Sequence, residues 1–308
     1  MRSAVIAKPA ATARHSRLLL REERWGFIFI TPFLLFFAVF NVIPSILAFW
    51  LSVVTWQPAT GATQFIGLEK FGTLAREPTF WKAMENTFYY AALVTPASVL
   101  LALITAALIY ALPWGGLREF FQGAFYLPGI VAAVAVAVIW RFIYDYEIGL
   151  LNAVAGLFGV QPVNWLGNPH IAMLAVALME VLTGLGGAII IFIAAIGGIP
   201  QSLYDAAKID GAMFWQEFFQ ITLPLLVPAI LYVAVVRTIG AFQVFVPIYL
   251  LTSGGPSNAT LTIGFLIYRQ LFYYADISLA SATGLALLVA TLVFTVVQFR
   301  WFKSVVEY

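Results

Sequence analysis

The sequence predicts an all-α membrane protein with six transmembrane helices. Three observations lead there. Hydrophobic residues make up 62% of the 308 residues and charged residues only 10%. A soluble domain carries roughly 25% charged residues. The apolar residues fall in continuous runs long enough for helices of about 20 residues. Strands of a membrane barrel would instead alternate over about 10 residues.

The spans are read at Trp25–Trp50, Thr87–Leu112, Phe120–Tyr144, Ile171–Ile196, Leu223–Leu251 and Ser278–Trp301. Pro44, Pro96, Pro128, Pro228 and Pro247 lie inside them. Membrane helices tolerate interior prolines because neighbours satisfy the freed backbone groups. Residues 1–24 hold Arg14, Arg17, Arg21 and Arg24 before the first apolar run. That run is about twice the length of a signal-peptide core and no small-residue cleavage site follows promptly, so it reads as a cytoplasmic leader and a retained span. The six-helix domain covers residues 25–308.

Lys and Arg set the orientation. With the N-terminus inside, the inner segments hold Arg2, Lys8, Arg14, Arg17, Arg21, Arg24, Arg118, Lys208, Arg300 and Lys303, against Lys70, Arg76, Lys82, Arg141 and Arg269 outside. Both termini are therefore expected on the cytoplasmic side. A net charge of +2 excludes a nucleic-acid partner. The chain has no cysteine and only two histidines, His15 and His170, in different loops, so no metal site is expected.

The segment from residue 197 to 224 is unusually polar for its surroundings. Gly197 and Gly198 break the fourth span. Pro200 suits a helix start, Gln201–Asp210 are helix formers, and Gly211 suits the position after a helix end. Ala206 and Ala207 leave part of this short helix without bulk, where another protein could approach. Tyr204, Asp205, Lys208 and Asp210 supply polar groups beside it. A second short helix is read over Met213–Ile221, with Phe214, Trp215, Phe218 and Phe219 at the membrane interface. Pro224 opens the fifth span. On physics alone a solvated inter-helix loop reads as well.

The spacing in this segment resembles the EAA loop of the permease subunits of binding-protein-dependent ABC importers. That loop reads Glu-Ala-Ala, three residues, Gly, nine residues, Ile, one residue, Leu-Pro. Here Asp205-Ala206-Ala207, Gly211, Ile221 and Leu223-Pro224 fall at those spacings, with Asp205 one methylene shorter than Glu. Further stretches are similar to the sugar-type permeases of the maltose and glycerol-phosphate importers: "FIGLEKF" from Phe65, "FYLPGIVAAVAVAVIWRFIY" from Phe125, "GLLNAV" from Gly149, "NWLGNP" from Asn164, "TIGAFQVF" from Thr238 and "LTSGGPSNAT" from Leu251.

The resemblance implies a coupling helix between spans four and five that docks on a cytoplasmic ATPase. It implies as partners a second, different permease, two ATPases, a substrate-binding protein outside the cytoplasm, and the bilayer of a bacterial or archaeal inner membrane. ATP and Mg would be bound by the ATPases, and this chain would hold no cofactor. In agreement, the sequence contains no G-x-x-x-x-G-K-[ST] phosphate loop. The outer loop at Ser253, Gly254, Gly255 and Pro256 would meet the binding protein. Asn258-Ala259-Thr260 matches a glycosylation pattern by coincidence.

Two charges lie inside spans: Glu180 in the fourth and Arg237 in the fifth. Intramembrane charges are costly and mark pairs or functional sites. At about 1.5 Å per residue their depths agree to about one turn. They are read either as an ion pair joining the two spans or as lining for the substrate path. A free Arg237 would favour an anionic sugar acid or phosphorylated polyol. Tyr232, Thr238, Phe242, Gln243 and Phe245 are further path candidates, since sugars present both C–H faces and hydroxyls. Gly184 and Ala188 have the spacing for close helix approach. A carbohydrate importer permease is the function this reading favours. An ion-coupled secondary transporter using Glu180 is the competing class. No HExxH, Cys or nucleophile–base pair points to an enzyme.

Overall fold

The computed structural model describes residues 27–56 and 63–306. The leader, residues 1–24, and Trp25 lie outside the described residues. Four helices are long and apolar enough to cross a membrane, and two bent pairs could each supply one further crossing. The fold is thus helical with four to six candidate spans.

The first span is α1, Phe27–Val53. A π-helical turn at Ala38–Val42 precedes Pro44, which stands in the first turn of the segment that follows. The looser turn accommodates a residue that cannot donate a backbone hydrogen bond. A short antiparallel ribbon comes next, β1 (Val54–Trp56) and β2 (Thr63–Phe65), with Thr55 opposite Gln64. This ribbon is a small correction to an all-helical expectation. α2 (Glu69–Arg76) is a short amphipathic helix tied to the start of the last span by Lys70–Asp276 at 2.7 Å.

α3 runs from Pro78 to Tyr110, beginning nine residues before the expected second span. At about 1.5 Å per residue its 33 residues exceed the hydrocarbon thickness. Its N-terminal third carries Asn86 and Thr87, both buried. The third span is not one rod. α4 (Gly115–Ile130) and α5 (Ala133–Ile143) meet at 95°. Pro128 and Gly129 weaken the last turn of α4, and Val131 and Ala132 are extended. α6 (Leu150–Leu157) follows, and α7 (Ala172–Gly197) is the fourth span nearly as expected.

α8 is Gln201–Ile209, with Pro200 at its N-cap and Asp210 at its C-cap. Gly211 has φ +79, which closes the helix in the left-handed region. α9 (Trp215–Leu225) includes a π turn over Phe218–Thr222 and continues through Pro224, so it is longer than the helix read from sequence. It meets α10 (Val227–Phe242) at 65°. α10 ends at Phe242, and α11 (Val246–Leu251) starts after a break. The expected continuous helix over Leu223–Leu251 is therefore three pieces. Pro228 and Pro247 stand in first turns, where a missing N–H costs nothing. Of the five span prolines, Pro44, Pro96 and Pro128 lie inside α1, α3 and α4. α12 (Ile263–Tyr268) and α13 (Ile277–Val306) complete the chain.

The core sits where α3, α7, α10 and α13 meet. Tyr90, Ile189, Phe192 and Phe242 are its largest fully buried side chains. Phe242 packs edge-on to Phe88 at 5.1 Å and against Phe294 at 5.5 Å. α4 packs on α7 through Gly186. A Cβ there would lie 2.6 Å from the Phe125 carbonyl oxygen and 2.6 Å from Tyr126 Cα.

Candidate functional site

A cavity of about 510 Å³ lies between α3, α7 and α10 and reaches the break before α11. Tyr90 and Val94 contribute from α3, Glu180 and Ala188 from α7, and Tyr232 and Arg237 from α10. Gln243 and Phe245 line it from the break. The helical period explains the α7 wall. Glu180, Gly184 and Ala188 recur every four residues and so share one face.

Glu180 and Arg237 both face this cavity, but they are not a contact pair. Among the described residues the ion pairs are Lys70–Asp276 and Lys82–Glu85. The Arg237 guanidinium instead donates to the Gly184 carbonyl, one turn along α7 from Glu180. Gly184 makes this possible, because a Cβ there would lie 2.7 Å from Arg237 Nη1. The direct ion pair is thus corrected to an arginine held by backbone and an acid one turn away. Tyr90, Glu180 and Arg237 remain within electrostatic reach of one another. The Tyr90 hydroxyl is buried and has no hydrogen-bond partner among the described residues.

The other path candidates divide. Tyr232, Gln243 and Phe245 line the cavity. Thr238 and Phe242 are both 0% exposed and belong to the core. Thr238 accepts a hydrogen bond from Gln298 Nε2 at 2.8 Å and lies 3.5 Å from Thr95 Oγ1, joining α10 to α13 and α3. The threonine is turned away from the cavity because it follows Arg237 directly, about 100° round the helix. Gly184 and Ala188 also differ from expectation. Gly186, between them, takes the close approach of α4, while Gly184 receives the guanidinium. Sequence reasoning missed Tyr90. A tyrosine in an apolar run gives no signal of its own until α3 is placed against α7.

At the other end of α7, α8 stands out from the bundle. Asp205, Ala206, Ile209 and Asp210 are exposed, with Ile209 86% exposed. Tyr204 and Lys208 face a cleft of about 250 Å³ beneath the helix, with Tyr110, Glu217 and Thr222. The Tyr204 and Thr222 hydroxyls are hydrogen-bonded at 2.9 Å. Ala207 is half-buried on the same side. Nearby, Arg118 donates to the Tyr110 and Leu112 carbonyls at 2.6 and 3.2 Å and stacks over the Tyr110 ring. These bonds satisfy carbonyls that the end of α3 would otherwise leave open.

The loop from Thr252 to Leu261 is anchored on α3. Asn86 Nδ2 donates to the Asn258 and Leu261 carbonyls at 2.8 and 2.9 Å. Thr87 Oγ1 accepts from the Ile263 amide at 2.9 Å. Ser253 is exposed at its tip, whereas Gly254 is buried against Phe265. Gly255 and Pro256 are half-buried. Gly254 is therefore a packing position, not a surface for a partner. Thr260 is buried and donates to the Gly255 carbonyl at 2.7 Å, which places part of the glycosylation-like triplet inside the fold.

Residues 71–306 match the family described as binding-protein-dependent transport system inner membrane component. The chain belongs to this family. As such an inner membrane component it is a multi-pass transport permease and not an enzyme. It is 33% identical over 288 residues to the trehalose/maltose transport system permease protein of Thermococcus litoralis, covering 92% of this chain and 96% of that protein. It is 34% identical over 294 residues to the sn-glycerol-3-phosphate transport system permease protein of Salmonella typhimurium, covering 95% and 99%. A crystal structure of a bacterial alginate ABC transporter, in complex with an alginate pentasaccharide-bound periplasmic protein, contains a similar chain. The TM-score is 0.80 at 26% identity, covering 94% of this permease and 97% of that chain.

Proposed function

We propose that this permease is one half of the translocation path of an ATP-driven carbohydrate importer. It crosses the membrane six times, with each bent pair forming one crossing and both termini on the cytoplasmic side. Four helices of spanning length and the excess of Lys and Arg on one side support this arrangement. The partners are a second permease, two ATPases that bind ATP and Mg, and a binding protein that meets the outer loop near Ser253.

One observation carries the reading. The exposed helix α8 lies between α7 and the α9–α10 unit, and α7 and α10 are walls of the polar cavity. A push on α8 by an ATPase therefore acts on both walls at once. The cavity combines aromatic faces, Tyr232 and Phe245, with hydrogen-bonding groups, Glu180, Arg237 and Gln243. That mixture suits a sugar, and the named relatives handle trehalose/maltose, glycerol phosphate and alginate.

The test is purification of the tagged chain from its native membrane, followed by uptake in proteoliposomes. An ATPase and a second permease are expected to co-purify, and sugar uptake to require internal ATP. Sodium- or proton-driven uptake by this chain alone would reject the proposal.

A further inference from the structure

Three polar groups converge on the cavity without satisfying one another. Among the described residues the Glu180 carboxylate forms no ion pair, and Arg237 spends one nitrogen on the Gly184 carbonyl. The Tyr90 hydroxyl, fully buried, has no partner among them. Glu180 and Arg237 are both part-exposed on the cavity, so its occupant can bond each of them. As a carboxylate Glu180 only accepts, and Arg237 only donates.

From this complementarity we infer that the cavity takes an uncharged sugar and rejects sugar acids and phosphorylated polyols. The inference rests on the carbohydrate-importer reading above and narrows it. A sugar hydroxyl donates and accepts at once. Adjacent hydroxyls on a ring can donate to Glu180 and accept from Arg237, filling the gap between two charges that do not touch. The ring's C–H faces then lie against Tyr232 or Phe245, which line the same cavity. A ligand carboxylate or phosphate would satisfy Arg237 but has no proton for Glu180. It would place a second negative charge beside an acid in a low-dielectric site, where like charges repel strongly. Arg237 alone would point to an anionic cargo; Glu180, facing the same space and unpaired, reverses that preference.

The experiment has two arms on the assembled transporter with its binding protein. In the first, the compound retained by the purified binding protein is released and identified by mass spectrometry. An uncharged sugar is the expected result. A carbohydrate carrying a carboxylate or phosphate overturns this inference and leaves the importer reading standing. A non-carbohydrate overturns that reading itself. In the second arm, proteoliposome uptake is measured for maltose and trehalose as uncharged probes, for galacturonate and glycerol 3-phosphate as anionic probes, and for the released compound in labelled form. Glu180→Gln is expected to lower uptake of the uncharged compound at least about tenfold, the loss of one charge-assisted hydrogen bond, with Glu180→Asp intermediate. Assembly of each variant is checked by size-exclusion chromatography. Wild-type uptake of an anionic probe at the rate of the uncharged compound overturns the inference. So does uptake of the uncharged compound within twofold of wild type for Glu180→Gln.

Discussion

Two glycines two residues apart on α7 should respond to the same substitution in opposite ways. A Cβ added at Gly184 would lie 2.7 Å from Arg237 Nη1 and 3.5 Å from its Cζ. The obstacle is the end of a flexible side chain, so the guanidinium retreats by on the order of 1 Å. It loses its bond to the Gly184 carbonyl, a hydrogen bond of a charged group worth about 1.5–3 kcal/mol. Rehydration in the open cavity offsets part of that. Alanine in a helix gains about 1 kcal/mol over glycine. Gly184→Ala should therefore leave the melting midpoint within about 2 °C of wild type. Uptake, which needs the guanidinium in place, should fall about tenfold, equivalent to about 1.4 kcal/mol of binding. At Gly186 the obstacle is backbone, the Phe125 carbonyl oxygen and Tyr126 Cα, both at 2.6 Å. α4 must move as a whole, and overpacking costs about 1–3 kcal/mol. Gly186→Ala should lower the midpoint clearly. The assays are tryptophan-fluorescence melting in detergent and proteoliposome uptake. Equal destabilisation by the two variants, or wild-type uptake by Gly184→Ala, would refute the view that Gly184 positions Arg237.

Four further outcomes follow from the same geometry. Gly211→Pro forces φ to about −65° where the backbone needs +79, so sugar-dependent ATP hydrolysis and uptake should separate; Asp205→Arg on the exposed face should do the same, and normal coupled turnover in both would remove α8 from the coupling role. Tyr204→Phe deletes the bond to Thr222, worth about 1 kcal/mol, and should speed hydrogen exchange of α8 amides about fivefold while leaving α7 unchanged. Asn86→Leu strands the Asn258 and Leu261 carbonyls at about 1–3 kcal/mol and should weaken stimulation of ATP hydrolysis by the binding protein. Asp276→Ala should destabilise more than Lys70→Ala, because Asp276 also accepts from the Leu279 amide at 2.9 Å, a cap worth about 1 kcal/mol, whereas the part-exposed ion pair alone contributes about 0–1 kcal/mol; equal melting midpoints would remove the cap from the argument.

Much of this was legible in the residues before any coordinates. The fourth and sixth spans are long, apolar and free of interior proline; both limits of the fourth and the start of the sixth agree to within a residue, while the last helix runs five residues past the expected end. α8 could be read because its signals are local: Pro200 before it, helix formers within it, Gly211 after it. What the sequence did not show is non-local. The 95° bend between α4 and α5 depends on how α4 lies against Gly186, which no window of residues reports. Pro228 and Pro247 were visible, but whether a proline kinks a span or begins a new helix depends on what covers the freed carbonyls. Glu180 and Arg237 were found because charge is rare in a membrane. Their relation was not, because Gly184 competes with Glu180 for the guanidinium. Thr238 and Phe242 sat beside the correct residues and proved to face the core.

The breaks around α10 link the cavity to α8. Irregular backbone persists in a membrane protein only where protein or a water-filled cavity satisfies its polar groups. The Gln243–Phe245 break meets both conditions. It lines the cavity on one side. On the other, Thr262 Oγ1 donates to the Val244 carbonyl at 3.3 Å. Gly264 leaves room for that carbonyl, since a Cβ would lie 2.6 Å from it. With the second break at Leu226, α10 is a 16-residue rod bounded by a break at each end. A rod bounded by breaks transmits a displacement of its end as rotation, whereas a continuous helix from α9 to α11 would resist it by bending. α10 carries Arg237, whose guanidinium holds α7 at Gly184. Under the importer reading proposed above, turning the rod would change the polar lining of the cavity and the attachment between its two walls in one movement. This accounts for placing a costly charge at that point of the membrane.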